Sequence, residues 1–270
     1  MTAIPIRKFA RSFFACRAKL LNPIWEVWYW YISSLDKDGE VVFLDYGYAD
    51  HYKLELKKED ENNRYSIQLY NHIATSIRLE GLDILEVGCG RGGGASYVAR
   101  YLNPKSVKGI DLCKKSIDFC KKNYQIAGLS FCHGNALSLS FMDNSFDVVI
   151  NVESSHRYSD MERFLGEVYR VLRPGGYFLF ADLRDEELIE SLRKKLDNCR
   201  LKIIKEEIIT PNVIRALGLA NEKKMDLIER LVPRFLHGLT KEFAGTKETA
   251  LYKSFMKKKK EYLHYILQKD

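Results

Sequence analysis

From Asp83 onward, short apolar runs alternate with amphipathic stretches, the pattern of a βαβ protein. Ile84, Leu85 and Val87 read as a buried parallel strand, interrupted by Glu86 near its carboxyl end. Further strands are predicted at Ser106–Asp111, Leu129–Cys132, Phe146–Asn151, Tyr177–Ala181 and Leu201–Ile209. Helices are predicted at Ser66–Ile77, Ala95–Tyr101, Lys114–Ala127, Asp160–Leu172 and Asp185–Leu196. Arg173-Pro174-Gly175-Gly176 should stop the helix before it, since neither proline nor glycine continues one well.

The two ends break this alternation. Phe13, Phe14, Leu20, Leu21, Ile24, Trp25, Trp28, Tyr29 and Ile32 fall mainly at helical spacing. Val41–Tyr48 follows an Asp38-Gly39 turn, and Lys53–Asn63 is charged and expected to be exposed. Residues 211–256 read as helices broken at Asn221, Pro233 and Gly245. Glu261–Gln268 is apolar on both faces and reads as a last strand, with a helix as the competing reading. The division expected is an N-terminal segment over 1–65, a core over 66–209, and a helical lid with a terminal strand over 210–270.

Composition changes this picture little. A chain of 270 residues with 46% hydrophobic and 29% charged residues is long enough for one large domain, or a core plus a cap. No CxxC or CxxxC pair occurs among the six cysteines, so no zinc site or disulfide framework is expected, and reduced thiols fit a cytoplasmic setting. The net charge of +7 is mild. No basic–aromatic interleaving suggests a nucleic-acid groove. Residues 1–25 carry Arg7, Lys8, Arg11, Arg17 and Lys19 and no acid. Three roles fit them: a helix packed on the domain, peripheral membrane contact, or organelle targeting. Lys257–Lys260 fits a solubilising loop or lipid-headgroup contact.

Candidate chemistry starts at Asp83–Gly94, where Gly88, Gly90, Gly92, Gly93 and Gly94 follow the first strand. Glycines there let the backbone adopt positive φ and let a ligand lie against it. Gly88, Gly90 and Gly93 satisfy the dinucleotide pattern GxGxxG, a weak signal alone. Glu86 argues against a pyrophosphate and for a cationic group.

The order Glu-Val-Gly-Cys-Gly-Arg-Gly from Glu86, Gly-Ile-Asp-Leu from Gly109, Gly-Asn-Ala from Gly134, Phe-Asp-Val-Val from Phe146 and Val-Leu-Arg-Pro-Gly-Gly from Val171 resembles the class I S-adenosylmethionine-dependent methyltransferases. The resemblance covers about residues 66–208. Gly92–Tyr97, Asn151–His156, Gly176–Arg184, Val232–Leu236 and Phe243–Gly245 are most similar to the phthiotriol and phenolphthiotriol dimycocerosate O-methyltransferases. Rifamycin-type O-methyltransferases are similar too. The resemblance implies an α/β fold: a doubly wound, Rossmann-like seven-stranded sheet, with a helical N-terminal segment and a helical lid inserted before the last strand.

It also implies S-adenosylmethionine as cofactor, held by Glu86, Gly88, Cys89, Gly90 and Gly92 at the turn and by Asp111 and Leu112 at the ribose. Asn135 and Ala136 would face the adenine, with asparagine where the family commonly has aspartate, and Asn151, Val152 and Glu153 would line the methionine side. Asp111 also fits a helix N-cap. An alcohol nucleophile needs a proton acceptor, and His156 sits just past the fourth strand where one is wanted. Asp182, ending the neighbouring strand, could orient the imidazole, pair with Arg184 or cap the next helix. His51, His72, His133, His237 and His264 show no partner pattern.

The acceptor expected is a hydrophobic small molecule, a lipid or polyketide alcohol. Leu217, Leu219, Leu227, Leu231, Phe235 and Leu236 line its pocket or form lid core. Alternatives are C-methylation of a sterol or quinone precursor, N-methylation, and an inert S-adenosylmethionine-binding protein.

Overall fold

The computed structural model describes Asp36 and residues 39–270. The expected N-terminal helix and its aromatic stripe lie outside the described residues. After an extended strap over residues 39–57 and a 3-10 turn at Lys58–Asn63 come α1 (Arg64–Ala74), β1 (Asp83–Val87), α2 (Gly93–Tyr101), β2 (Ser106–Asp111), α3 (Lys114–Asn123), β3 (Leu129–His133) and β4 (Phe146–Val152). There follow α4 (Met161–Val171), β5 (Leu172–Asp185), α5 (Glu186–Asp197) and β6 (Lys202–Ile208). Four helices, α6 (Thr210–Leu219), α7 (Asn221–Leu231), α8 (His237–Ala244) and α9 (Ala250–Met256), then precede β7 (Lys260–Gln268).

The strands form one seven-stranded sheet in the order β3-β2-β1-β4-β5-β7-β6. β7 is antiparallel to both its neighbours, and the other neighbouring pairs are parallel. Alternate residues of the central strands serve two cores. Ile84, Val148, Ile150 and Leu179 pack with α1, α2 and α6 on one face. Leu85, Val149, Phe178 and Phe180 pack with α4 and α5 on the other. Each such side chain contributes roughly 1.5–3 kcal/mol by leaving water. β7 is apolar on both faces because Tyr262 and Ile266 enter the first core and Leu263, Tyr265 and Leu267 the second, which makes it a strand rather than the competing helix.

Several boundaries differ from expectation. α2 begins at Gly93, two residues early, because Gly92 takes φ 78° as its N-cap. β5 begins at Leu172, five residues before Tyr177, because Leu172 pairs with Phe146 and the chain then bulges through Arg173–Gly176, with Gly175 at φ 77°. α3 stops at Asn123 rather than Ala127. The 53–63 stretch is not wholly exposed: Asp60 is buried, receives Arg100 Nη1 and Nη2 at 2.7 and 2.8 Å, and accepts from Tyr101 Oη.

The strap is fixed to the core at both ends. Arg91, 1% exposed, reaches the Asp36 carboxylate at 3.1 Å, and that carboxylate accepts from the backbone of Glu40 and Val41. Farther along, Tyr48 N donates to Tyr65 O and Ala49 N to Asn212 O.

Candidate active site

The strand order reverses between β1 and β4, opening a crevice at the carboxyl ends of the strands. A cavity of about 660 Å³ lies there. Its floor is the Gly88–Arg91 turn; Asp111 and Leu112 end one side, Asn135 and Ala136 another, and Val152 to Ser154 a third. The strap roofs it with Val42 to Asp45.

The turn is locked from beneath. Gly88 and Cys89 donate to Ile110 O at 2.8 and 3.0 Å, and Gly90 N donates to Asp111 Oδ2 at 2.9 Å. Gly88 has φ 78°, and a Cβ there would meet Ser154 Oγ at 2.3 Å. Asp111 Oδ1 accepts from Cys113 N at 2.8 Å. Each Asp111 oxygen therefore keeps a lone pair for an outside donor. Burial raises the Asp111 pKa, opposed by those two backbone donors.

Glu86 is 2% exposed and stands behind the cavity rather than in its wall. Tyr70 Oη donates to Glu86 Oε1 at 2.7 Å, while Oε2 has no partner among the described residues. Burial pushes the Glu86 pKa up to about 8. Gly92 and Asn151 also lie outside the wall. Gly92 is packed against Phe131 and Cys120. Asn151, fully buried, donates to Val87 O at 2.8 Å and braces the turn from below. Asn135 Oδ1 accepts from Leu137 N at 2.9 Å, which leaves its amide hydrogens for a ring acceptor. Glu153 adopts φ 45°, unusual for a residue with a side chain, and its Oε1 accepts from Tyr46 N at 2.8 Å.

His156 and Asp182 are brought together. Nδ1 lies 2.7 Å from Asp182 Oδ1, and Asp182 Oδ2 accepts from His156 N at 2.8 Å and Ser155 Oγ at 2.6 Å. Arg184 stands 3.0 Å from the same carboxylate. Burial opposes ionisation of Asp182, but Arg184 and His156 hold it well below the usual carboxylate range. Partial desolvation also lowers the His156 pKa, against the pull of Asp182. The pair is outside the cavity wall: Arg157, which is in the wall, donates from Nε to His156 Nε2 at 3.2 Å.

A second, apolar cavity of about 180 Å³ lies between the strap and helices α7 and α8. Leu227 and Leu231 line it, the first of the two expected uses, but Leu217 is core, and Leu219 and Phe235 point outward, 55% and 83% exposed. Phe43, Leu44 and Asp45 belong to both cavities and form the partition between them. Sequence reasoning gave no role to Asp45, Tyr70, Ser154, Tyr158 or Lys224. A charge inside the apolar run Val-Val-Phe-Leu-Asp was the one available signal, and for Lys224 there was none. Two histidines without an expected partner also acquire one: His72 Nε2 and His264 Nδ1 lie 3.1 and 3.4 Å from Glu207 Oε2, which Lys205 also contacts.

The larger cavity fits S-adenosylmethionine. The backbone at Gly88 leaves no room for a Cβ, Asp111 has lone pairs for two ribose hydroxyls, and exposed Leu112 offers an apolar surface for a purine. The Glu153 carboxyl group in the wall and that of Glu86 behind it would favour a positively charged ligand.

Fold and cavity thus define a class I S-adenosylmethionine-dependent methyltransferase. A methyltransferase domain family matches residues 85–180. The phthiotriol/phenolphthiotriol dimycocerosates methyltransferase of Mycobacterium tuberculosis (strain ATCC 25177 / H37Ra) is 41% identical over 249 residues, 92% of each chain. The chain belongs to the family of these enzymes. It is also similar to a fatty-acid O-methyltransferase of Mycolicibacterium smegmatis, 43% identical over 80% of this chain and 78% of that one. Geranyl diphosphate C-methyltransferase from Streptomyces coelicolor A3(2), solved with S-adenosyl-L-homocysteine, shares the fold with a TM-score of 0.63 at 16% identity, over 88% of this chain and 91% of that one. S-adenosylmethionine is the cofactor. Among the described residues no helix is long and apolar enough to cross a membrane.

Proposed function

We propose that the enzyme methylates a hydroxyl group on a hydrophobic, lipid-like acceptor. The observation that carries this reading is the partition: the cofactor cavity and an apolar cavity share Phe43, Leu44 and Asp45. An apolar body held on the lid side would present one end to the cofactor side. The names of the two similar mycobacterial enzymes support a lipid acceptor.

S-adenosylmethionine would supply an electrophilic methyl group, held by the Gly88–Gly90 turn with Cys89, by Asp111, Leu112, Asn135, Ala136, Val152 and Glu153, with Glu86, Gly92 and Asn151 shaping that turn. The chain must orient the hydroxyl, exclude water and accept a proton. His156 is our candidate acceptor. With Nδ1–H donated to Asp182, the lone pair is on Nε2, the atom that Arg157 now contacts. The role requires Arg157 to leave Nε2 when the acceptor enters. Asp182 is a positioning residue: it sets the tautomer and stabilises the charged ring.

His156→Ala should retain S-adenosylhomocysteine affinity within about two-fold and lose roughly 10²–10⁴-fold in methyl transfer. Calorimetry and a labelled-methyl assay with lipid extract measure both. Full turnover by this variant removes His156 from the mechanism. A methyl group found on carbon or nitrogen of the product replaces the hydroxyl reading.

A further inference from the structure

Three carboxyl groups gather at one side of the cofactor cavity, more than binding a zwitterionic amino acid requires. Asp45 comes from the strap, Glu86 from β1 and Glu153 from the turn after β4. Asp45 and Glu153 line the cavity, with Glu86 behind Tyr70. Two of their oxygens, Asp45 Oδ1 and Glu86 Oε2, are buried with no hydrogen-bond partner among the described residues. Glu153 is held in a left-handed backbone conformation, at φ 45°. An unpartnered acid oxygen beside a cavity marks a place for a charge or donor not supplied by the chain.

Asp45 is the hub. Its charge acts on Glu86, Glu153, Tyr70 and Tyr262. Lys224 on α7 faces Asp45 and Glu153 and donates to Ala244 O at 3.0 Å. Asp111 acts on Glu86 from β2, and Asp182 on Glu153 from β5. Ser66 on α1 adjoins Asp45 and favours its ionised form. One half-buried ammonium therefore faces two of the three acids. Burial raises Asp45 to about 6 and Glu86 to about 8, and holds Glu153 well above its ordinary value. Even with Lys224 beside it, the cluster accordingly keeps a proton near neutrality, on Glu86 above all.

We infer that Asp45, Glu86 and Glu153 form a charge sensor that distinguishes the methyl donor from its demethylated product. The two ligands differ by one methyl group and one positive charge on sulfur. A sulfonium beside the cluster favours the ionised carboxylates, so the donor binds with release of protons. The product thioether is neutral, and the cluster takes a proton back. The proton need not come from a further reactant, because methylation of a hydroxyl releases one. The device thus weakens product binding and favours exchange for fresh donor. This inference rests on the methyltransferase reading.

Calorimetry in phosphate and in Tris at pH 7, buffers of different ionisation enthalpy, counts the protons released on binding. The full chain should release about half a proton or more in binding S-adenosylmethionine beyond what it releases with S-adenosylhomocysteine. Its preference for the donor should grow as pH rises from about 6 to 8. Asp45→Asn and Glu153→Gln should each halve the proton difference and cut the preference roughly ten-fold, and Asp45→Asn should change S-adenosylhomocysteine affinity less than three-fold. Equal proton counts for the two ligands in the unaltered protein overturn the sensor and leave the methyltransferase reading intact. So do unchanged counts in both variants. Failure to bind either ligand overturns the reading and the sensor together.

Discussion

The two cavities are built in opposite ways. The cofactor cavity is walled by the ends of consecutive strands, and its critical features are backbone: φ 78° at Gly88 and two amides donated to Ile110 O. The apolar cavity is assembled from side chains distant in sequence. Glu40 on the strap pairs with Arg230 on α7, 190 residues away, and Ala49 is hydrogen-bonded to Asn212. The first construction tolerates little change because a turn has one shape. The second can be altered residue by residue, since each side chain fills its own part of the cavity. Acceptor choice can thus diverge while the donor site stays fixed.

The sharpest way to break that contrast is at the α2 start. A Cβ on Gly94 would lie 1.9 Å from Tyr70 Cε1 and 2.1 Å from Cζ. Tyr70 is buried between Gly94 and Glu86 and cannot swing free. Gly94→Ala should cost about 3 kcal/mol or more of stability through overpacking. Urea unfolding would measure it. A loss under about 0.5 kcal/mol would show that the turn yields more than its packing implies.

Next in size is Asp111→Ala. The carboxylate holds Gly90 N and Cys113 N, so its removal loosens the turn as well as the ribose contact. S-adenosylhomocysteine affinity should fall about 30-fold or more by calorimetry, roughly 2 kcal/mol. An unchanged affinity would leave Asp111 with a purely structural role. On the other side of the partition, Leu227→Trp should raise the KM for a long acyl or alkyl acceptor about ten-fold. Cofactor affinity should stay within two-fold. Equal damage to both constants would mean that the two cavities do not work as separate units.

The same difference explains what was legible in the sequence. Residues such as Gly88, Gly90 and Asp111 announce themselves because local backbone geometry demands particular residue types at fixed spacing. The sheet was legible because strand faces alternate, and β7 stood out through its two apolar faces. Asp60 was not, since its partners Arg100 and Tyr101 arrive from α2. The start of β5 was hidden because a Pro-Gly-Gly bulge looks like a terminator. Asp45 and Lys224 meet only after the strap and α7 have folded onto the core, so no neighbouring residue foretells either.

The smallest expected effect concerns Glu86, the acid that ties the two constructions together through Tyr70. In the folded protein burial raises its pKa from 4.5 to about 8. A raised carboxyl pKa favours the protonated fold. Its stabilising contribution is full below the unfolded value near 4.5 and is lost as pH rises through the folded value near 8. Within that window the residue should impose a downward slope of up to ~1.4 kcal/mol per pH unit on the stability of the free protein. Glu86→Gln keeps an oxygen to accept from Tyr70 and removes the titration. Melting temperatures compared at pH 6.5 and 7.5 should therefore fall about 2 °C less in this variant than in the unaltered protein. Saturating S-adenosylmethionine should shrink that difference, because a nearby positive charge lowers the Glu86 pKa toward its unfolded value. Identical pH dependence in the two free proteins would place the titrating charge elsewhere in the cluster, on Asp45 or Glu153.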